Sequence, residues 1–141
     1  MVNDIITGVS EKLKEAFGDG YGIHTENESH DYKEPYFYVA CVTSVDKPML
    51  GARHTRTHSF SVKYAPKSKT GPQAECNDIS DDLYTTLQYI TVGGVLTRGT
   101  NMNCRFDEGM LEFSVDYDVI VQEVDDSEMM EEMSLTMNRT T

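Results

Sequence analysis

The stretch GMLEFSVDYDVIVQEV, residues 109–124, alternates Leu111, Phe113, Val115, Tyr117, Val119 and Val121 with Glu112, Ser114, Asp116, Asp118, Ile120 and Gln122. A period of two sends successive side chains to opposite faces of a pleated strand, so one face is apolar and the other largely acidic. Such a strand is half-buried, and its apolar side needs a covering layer.

Two amphipathic segments can supply that layer. From Val2 to Phe17, Ile5, Ile6, Val9, Leu13, Ala16 and Phe17 recur at helical spacing, with Asn3, Asp4, Glu11, Lys12 and Lys14 on the other faces. Asn3 or Asp4 can cap the start, and Gly18-Asp-Gly20 ends the helix. A second helix is expected over Gln73 to Ile90, where Cys76, Ile79, Leu83, Leu87 and Ile90 share a stripe. The Lys, Ser, Gly and Pro residues of Pro66 to Pro72 form the linker before it.

The remaining apolar runs read as strands. Tyr21 to Thr25 is short, and the polar run from Glu26 to Glu34 reads as a loop. Tyr36 to Val45 is apolar on both faces, which suits a central strand or one covered by a neighbouring subunit. Asp46-Lys-Pro48 is expected to break it, with Met49, Leu50 and Gly51 in a projecting connection. Arg53 to Tyr64 places Phe60, Val62 and Tyr64 opposite Thr57, Ser59, Ser61 and Lys63; its polar first half is expected to outrun the core. Gly93-Gly94 is a turn, Val95 to Arg98 and Thr100 to Phe106 are short strands parted at Gly99, and Asp107-Glu-Gly109 turns into the alternating strand. The expected domain is 1–124, followed by an acidic tail over 125–141 that is disordered or docked on a partner.

A chain of 141 residues suits one domain. The net charge of −12, from 12 Lys and Arg against 24 Asp and Glu, disfavours nucleic-acid binding, which draws its affinity from phosphate neutralisation. Eight Tyr and eight Met suit protein interfaces as well as cores. Cys41, Cys76 and Cys104 are odd in number and lack a C-x-x-C pair, which points to reduced thiols rather than a disulfide framework or zinc ribbon. No signal peptide is evident, nor a run of about 20 apolar residues to span a membrane.

Candidate chemistry is sparse. His54 and His58 sit two steps apart on one side of a strand, about 13 Å, too far to share a metal ion; His24 and His30 add no ligand spacing. Asp116 and Asp118 with Glu112 resemble a carboxylate cluster for acid–base work, although a hydrated strand face explains them better. Ser114 lacks the glycine-flanked elbow of a catalytic serine. Gly18, Gly20 and Gly22 follow a helix rather than a strand and do not make a phosphate loop. Lys47, Arg53, Arg56 and Lys63 are the one basic concentration in an acidic chain, suited to an acidic surface on a neighbouring copy or to a hydrated strand end.

With its elements placed, the chain resembles the small tail-terminator proteins of bacteriophages and of phage-derived particles in Gram-positive bacteria. The residues that carry the resemblance are Asp4-Ile-Ile-Thr-Gly-Val9 with Phe17-Gly-Asp-Gly20, Lys33-Glu-Pro-Tyr-Phe37, and Leu50-Gly51 before Arg53. They continue with Tyr64-Ala-Pro-Lys67, Glu75-Cys-Asn77, Leu83-Tyr84, Leu87, Tyr89-Ile90, Arg98-Gly-Thr100 and Gly109-Met-Leu-Glu-Phe113. The resemblance implies an α+β fold, a mixed and mostly antiparallel sheet flanked by the two helices. It further implies a non-enzymatic structural role without cofactor or metal, in a homo-oligomeric ring, commonly a hexamer, on the head-proximal end of the tail tube.

The ring would stop tube polymerisation and dock head-completion, collar or cap proteins. Its partners would be itself, the tube protein, and sheath and head-completion or collar proteins, with no sequence-specific nucleic acid and no membrane. It would reside in a phage or phage-like tail assembled in the bacterial cytoplasm. The expected interface residues are Lys47, Met49, Leu50 and Arg53 on the projecting connection, with Arg56 beside them. Two alternatives remain at this point, an acidic regulatory binder and a carboxylate-dependent hydrolase.

Overall fold

The alternating stretch becomes the last of eight elements, in the order α1 (Val2–Phe17), β1 (Gly22–His24), β2 (Tyr36–Pro48), β3 (Arg53–Ala65), α2 (Pro72–Thr86), β4 (Tyr89–Val92), β5 (Val95–Asp107) and β6 (Met110–Gln122). The structure is a computed structural model that describes residues 1–25 and 33–122. Six strands form one mixed sheet in the order β1-β2-β3-β6-β5-β4, parallel only at β1–β2. The result is the expected α+β fold.

The sheet is curled around the helices. α1 touches β4 at one edge and β1 and β2 at the other, while α2 lies against β5 and β6. At the β4 crossing the approach is close enough that a Cβ on Gly8 would stand 2.6 Å from the Thr91 carbonyl oxygen. Ile5, Val9 and Leu13 of α1, with Cys76, Ile79 and Leu83 of α2, meet Phe37 and Val39, Phe60, Val62 and Tyr64, and Leu111, Phe113, Val115 and Tyr117 in one core. The larger of these side chains each contribute about 1.5–3 kcal/mol by leaving water.

Two polar bonds fasten this layer. The buried Tyr117 hydroxyl donates to the Leu87 carbonyl at 2.8 Å, where α2 ends. At its start, Glu75 accepts from the Tyr64 hydroxyl at 2.5 Å and from the Lys67 and Ser68 amides at 2.8 Å each. Burial works against the Glu75 charge, but these donors outweigh it and hold the carboxyl below its ordinary range.

Several boundaries depart from expectation. α1 is capped two or three residues earlier than an Asn3 or Asp4 cap would place it, with Met1 at the N-cap and Asp4 in the first turn, 3.6 Å from the terminal amine. α2 stops at Thr86, and Tyr89–Val92 is strand rather than helix. Leu87 and Ile90 are both fully buried, so their helix-like spacing conceals the change of structure. β5 runs unbroken through Gly99, its irregularity falling between Thr100 and Asn103. Its turn into β6 has Glu108 and Gly109 at φ 53° and 78°, the left-handed pair that suits a two-residue hairpin. β2 does not break at Asp46 but continues to Pro48. Residues 26–32 of the expected loop and the acidic tail over 125–141 lie outside the described residues.

Candidate interface on a projecting three-stranded arm

β2, β3 and β6 continue together past the shared core. The ladder runs on through Asp46 opposite Arg56, Arg56 opposite Val119, and Arg53 opposite Gln122. A bulge at Val42, between the pairs Cys41–Phe60 and Thr43–Ser59, resets which side chains share a face. Ser44, Asp46 and Pro48 then lie with His58, Arg56 and His54 on the concave side, and Thr43, Val45 and Lys47 lie with Thr57, Thr55 and Arg53 on the convex side.

The concave side of this arm is mixed: Val119 and Val121 of β6, opposite Arg56 and His54, are buried apolar side chains beside a set of polar ones. His58 is only 4% exposed, and its Nδ1 is 2.7 Å from the Ser44 hydroxyl. Burial, then the Arg56 guanidinium and the terminal amine, push the His58 imidazole below its usual range. Asp46 lies 3.4 Å from Arg56 Nε and 3.3 Å from His54 Nδ1. As a half-exposed pair, Asp46 and Arg56 fix geometry more than they add stability.

The end of the arm is apolar. At the tip Leu50 is 94% exposed and Met49 41%, and further back along β2 Val45 is 48% and Val42, at the bulge, 59% exposed. The Thr55 hydroxyl donates to Met49 Sδ and holds that side chain over the hairpin end. Of the residues expected at an interface, Lys47 and Arg53 therefore share the convex face, with Met49 and Leu50 at the tip. Arg56 points to the opposite face and is engaged by Asp46. Val42 and Val45 join the exposed set, and the signal for them was the two-sided apolar character of their strand.

The convex face of β6 carries the carboxylates, hydrogen-bonded by their neighbours. Glu112 accepts from Ser61 at 3.0 Å and from Arg105 at 2.9 Å, Asp116 accepts from Asn101 at 2.9 Å, and Asp118 accepts from Thr57 at 2.5 Å. They face outward from an open sheet surface. Among the described residues, no group of three or more His, Cys, Asp or Glu is placed to hold a metal ion. Cys76 is buried, which pushes its thiol up to about 11, so it is a core thiol rather than a nucleophile. No described helix is long and apolar enough to cross a membrane.

Fold and surface define a small α+β domain whose distinctive chemistry lies on an apolar-tipped arm and a polar sheet face. The family model described as phage tail terminator protein matches residues 4–129, and the chain belongs to that family. It is therefore a structural protein of phage tails. Comparison with curated proteins gives no match. One solved structure aligns over 89% of this chain and 99% of its own length, at 9% identity and a TM-score of 0.45.

Proposed function

We propose that the protein assembles into a ring, a hexamer by family resemblance, on the head-proximal end of a phage or phage-like tail tube. The ring stops tube polymerisation and offers its free face to head-completion, collar or cap proteins. The observation that carries this reading is the arm. A projecting hairpin with Leu50 almost wholly in water beside Met49 at the tip, and with Val45 and Val42 exposed further back along β2, is costly on a monomer and suited to burial against another chain.

Lys47, Met49, Leu50 and Arg53 are the residues assigned to that contact, with Arg56 holding the arm's shape through Asp46. A ring needs a heterologous interface, one patch against a different patch on the next copy. The basic end of the arm and the outward carboxylates Asp116 and Asp118 are of opposite sign, which favours such a contact. Assembly takes place in the bacterial cytoplasm, and the acidic tail from residue 125 is available to a partner.

The test is to mix the protein with purified tail tubes in the presence of free tube subunits. Capped tubes of fixed length with a ring at one end support the reading. Tubes that continue to grow beside a protein that never leaves the monomer defeat it.

A further inference from the structure

Two strand edges on opposite sides of the arm are open among the described residues. β1 pairs only with Tyr36–Tyr38, so β2 from Val39 to Pro48 has β3 beside it on one side alone. β5 pairs with β6 no further than Gly99 opposite Tyr117, so β6 from Asp118 to Gln122 likewise has only β3. The start of β5 stands apart from β6 there, across a cleft of about 240 Å³ lined in part by Val95, Leu96, Arg98, Asp118 and Val119. An unpaired edge is a row of backbone donors and acceptors that templates a further strand.

We propose that the β2 edge of one copy adds to the β6 edge of the next, so that the arms of successive subunits form one continuous intermolecular sheet. This rests on the ring reading and names its contact. The occupant is a second copy because the two edges are complementary in direction and in side chains. β2 and β6 are each antiparallel to β3 and hence parallel to one another. A rotation about an axis along the strands therefore brings β2 of one copy alongside β6 of its neighbour in parallel, and repeating it closes a ring.

The side chains agree with that pairing. On the convex face, the β2 edge presents Val45 and Lys47, and the β6 edge presents Asp118 and Ile120. If the rows of the arm continue flush from copy to copy, Lys47 lies beside Ile120 and diagonal to Asp118. Its stem then covers the isoleucine while its ammonium reaches the carboxylate. The backbone also limits the joint. The Met49 amide donates to the Arg53 carbonyl, so ladder alternation turns the Pro48 nitrogen, which has no hydrogen, toward the open edge. Pro48 thus ends the usable edge at the tip and leaves the Ser44 and Asp46 backbone groups to receive the neighbour.

Engineered disulfides test the joint. With Cys41→Ser and Cys104→Ser as background, Val45→Cys is combined with Asp118→Cys in one chain and with Ile120→Cys in another. Within a copy, β3 separates these positions by two strand spacings, roughly 10 Å, beyond the reach of a disulfide. Oxidation of capped tubes is expected to give a ladder of linked subunits from at least one pair, absent from the single-cysteine chains. Capped tubes without a ladder from either pair overturn the edge pairing and leave the ring reading standing; failure of the unmodified protein to cap tubes defeats both. Hydrogen exchange on the unmodified protein gives a second readout, with the Ser44 and Asp46 amides slowed at least about 10-fold on assembly. Unchanged exchange at both amides in capped tubes also overturns the joint.

Discussion

Leu50→Ala separates a surface role from a folding role. Leu50 is 94% exposed in the subunit, so removing its side chain takes away almost no intramolecular packing. The expected change in subunit stability is within about 0.5 kcal/mol. If the tip is buried by assembly, the same truncation costs about 2 kcal/mol at each contact, the middle of the range for burying a leucine. That corresponds to about a 30-fold weaker contact.

The assay is a titration of protein against growing tubes, scored by electron microscopy as the fraction capped, with thermal unfolding of the free subunit in parallel. The half-capping concentration should rise by about that 30-fold while the melting midpoint stays in place. Equal half-capping concentrations for the two proteins would show that the tip is not part of the contact. A lowered melting midpoint would show that Leu50 supports the fold rather than the assembly.

Four further outcomes follow from the packing and hydrogen bonds of the folded chain. Glu75→Ala removes the acceptor for Tyr64, Lys67 and Ser68 and should lower the unfolding free energy in denaturant by about 2 kcal/mol. Because Glu75 sits below its ordinary 4.5 in the folded chain, its contribution is full above that pH and is lost as the pH falls through the folded value; Glu75→Gln should flatten this part of the acid profile. Gly99→Ala places a Cβ 2.8 Å from both the Leu87 carbonyl oxygen and Val115 Cγ2, and should cost about 1–3 kcal/mol in chemical denaturation. His58 is depressed below 6.5, so the unfolded chain takes up its proton first, and stability should fall from pH 6.5 down toward the folded value; His58→Gln should remove that slope from a melting-temperature series.

Much of the framework was legible because burial here follows local periodicity. The alternation of residues 111–121 identified β6 and its buried face, and the apolar spacing of Ile5, Val9 and Leu13 identified α1 from Val2 to Phe17. β4 was hidden because Leu83, Leu87 and Ile90 are all buried and keep helical spacing while the chain leaves the helix between them. The continuation of β2 through Asp46-Lys-Pro48 was hidden because its side chains are polar, and its support is the cross-strand register with His54, Thr55 and Arg56.

Of the residues expected at an interface, Lys47, Met49, Leu50 and Arg53 could be placed around one connection from the sequence alone. The placement of Arg56 on the other face depends on pairing with Asp46, ten residues away in sequence but opposite in the ladder. The open edges of β2 and β6 are less legible still. They are set by where β1 and β5 stop pairing, a property of the whole sheet rather than of any one stretch.

The most direct measurement is a cryo-EM map of purified tail tubes after incubation with the protein. A closed ring of subunits at one end of each tube, arms joined edge to edge and tips buried, is the expected result. Bare tube ends beside free 15.9 kDa monomers would contradict the role assigned to this chain.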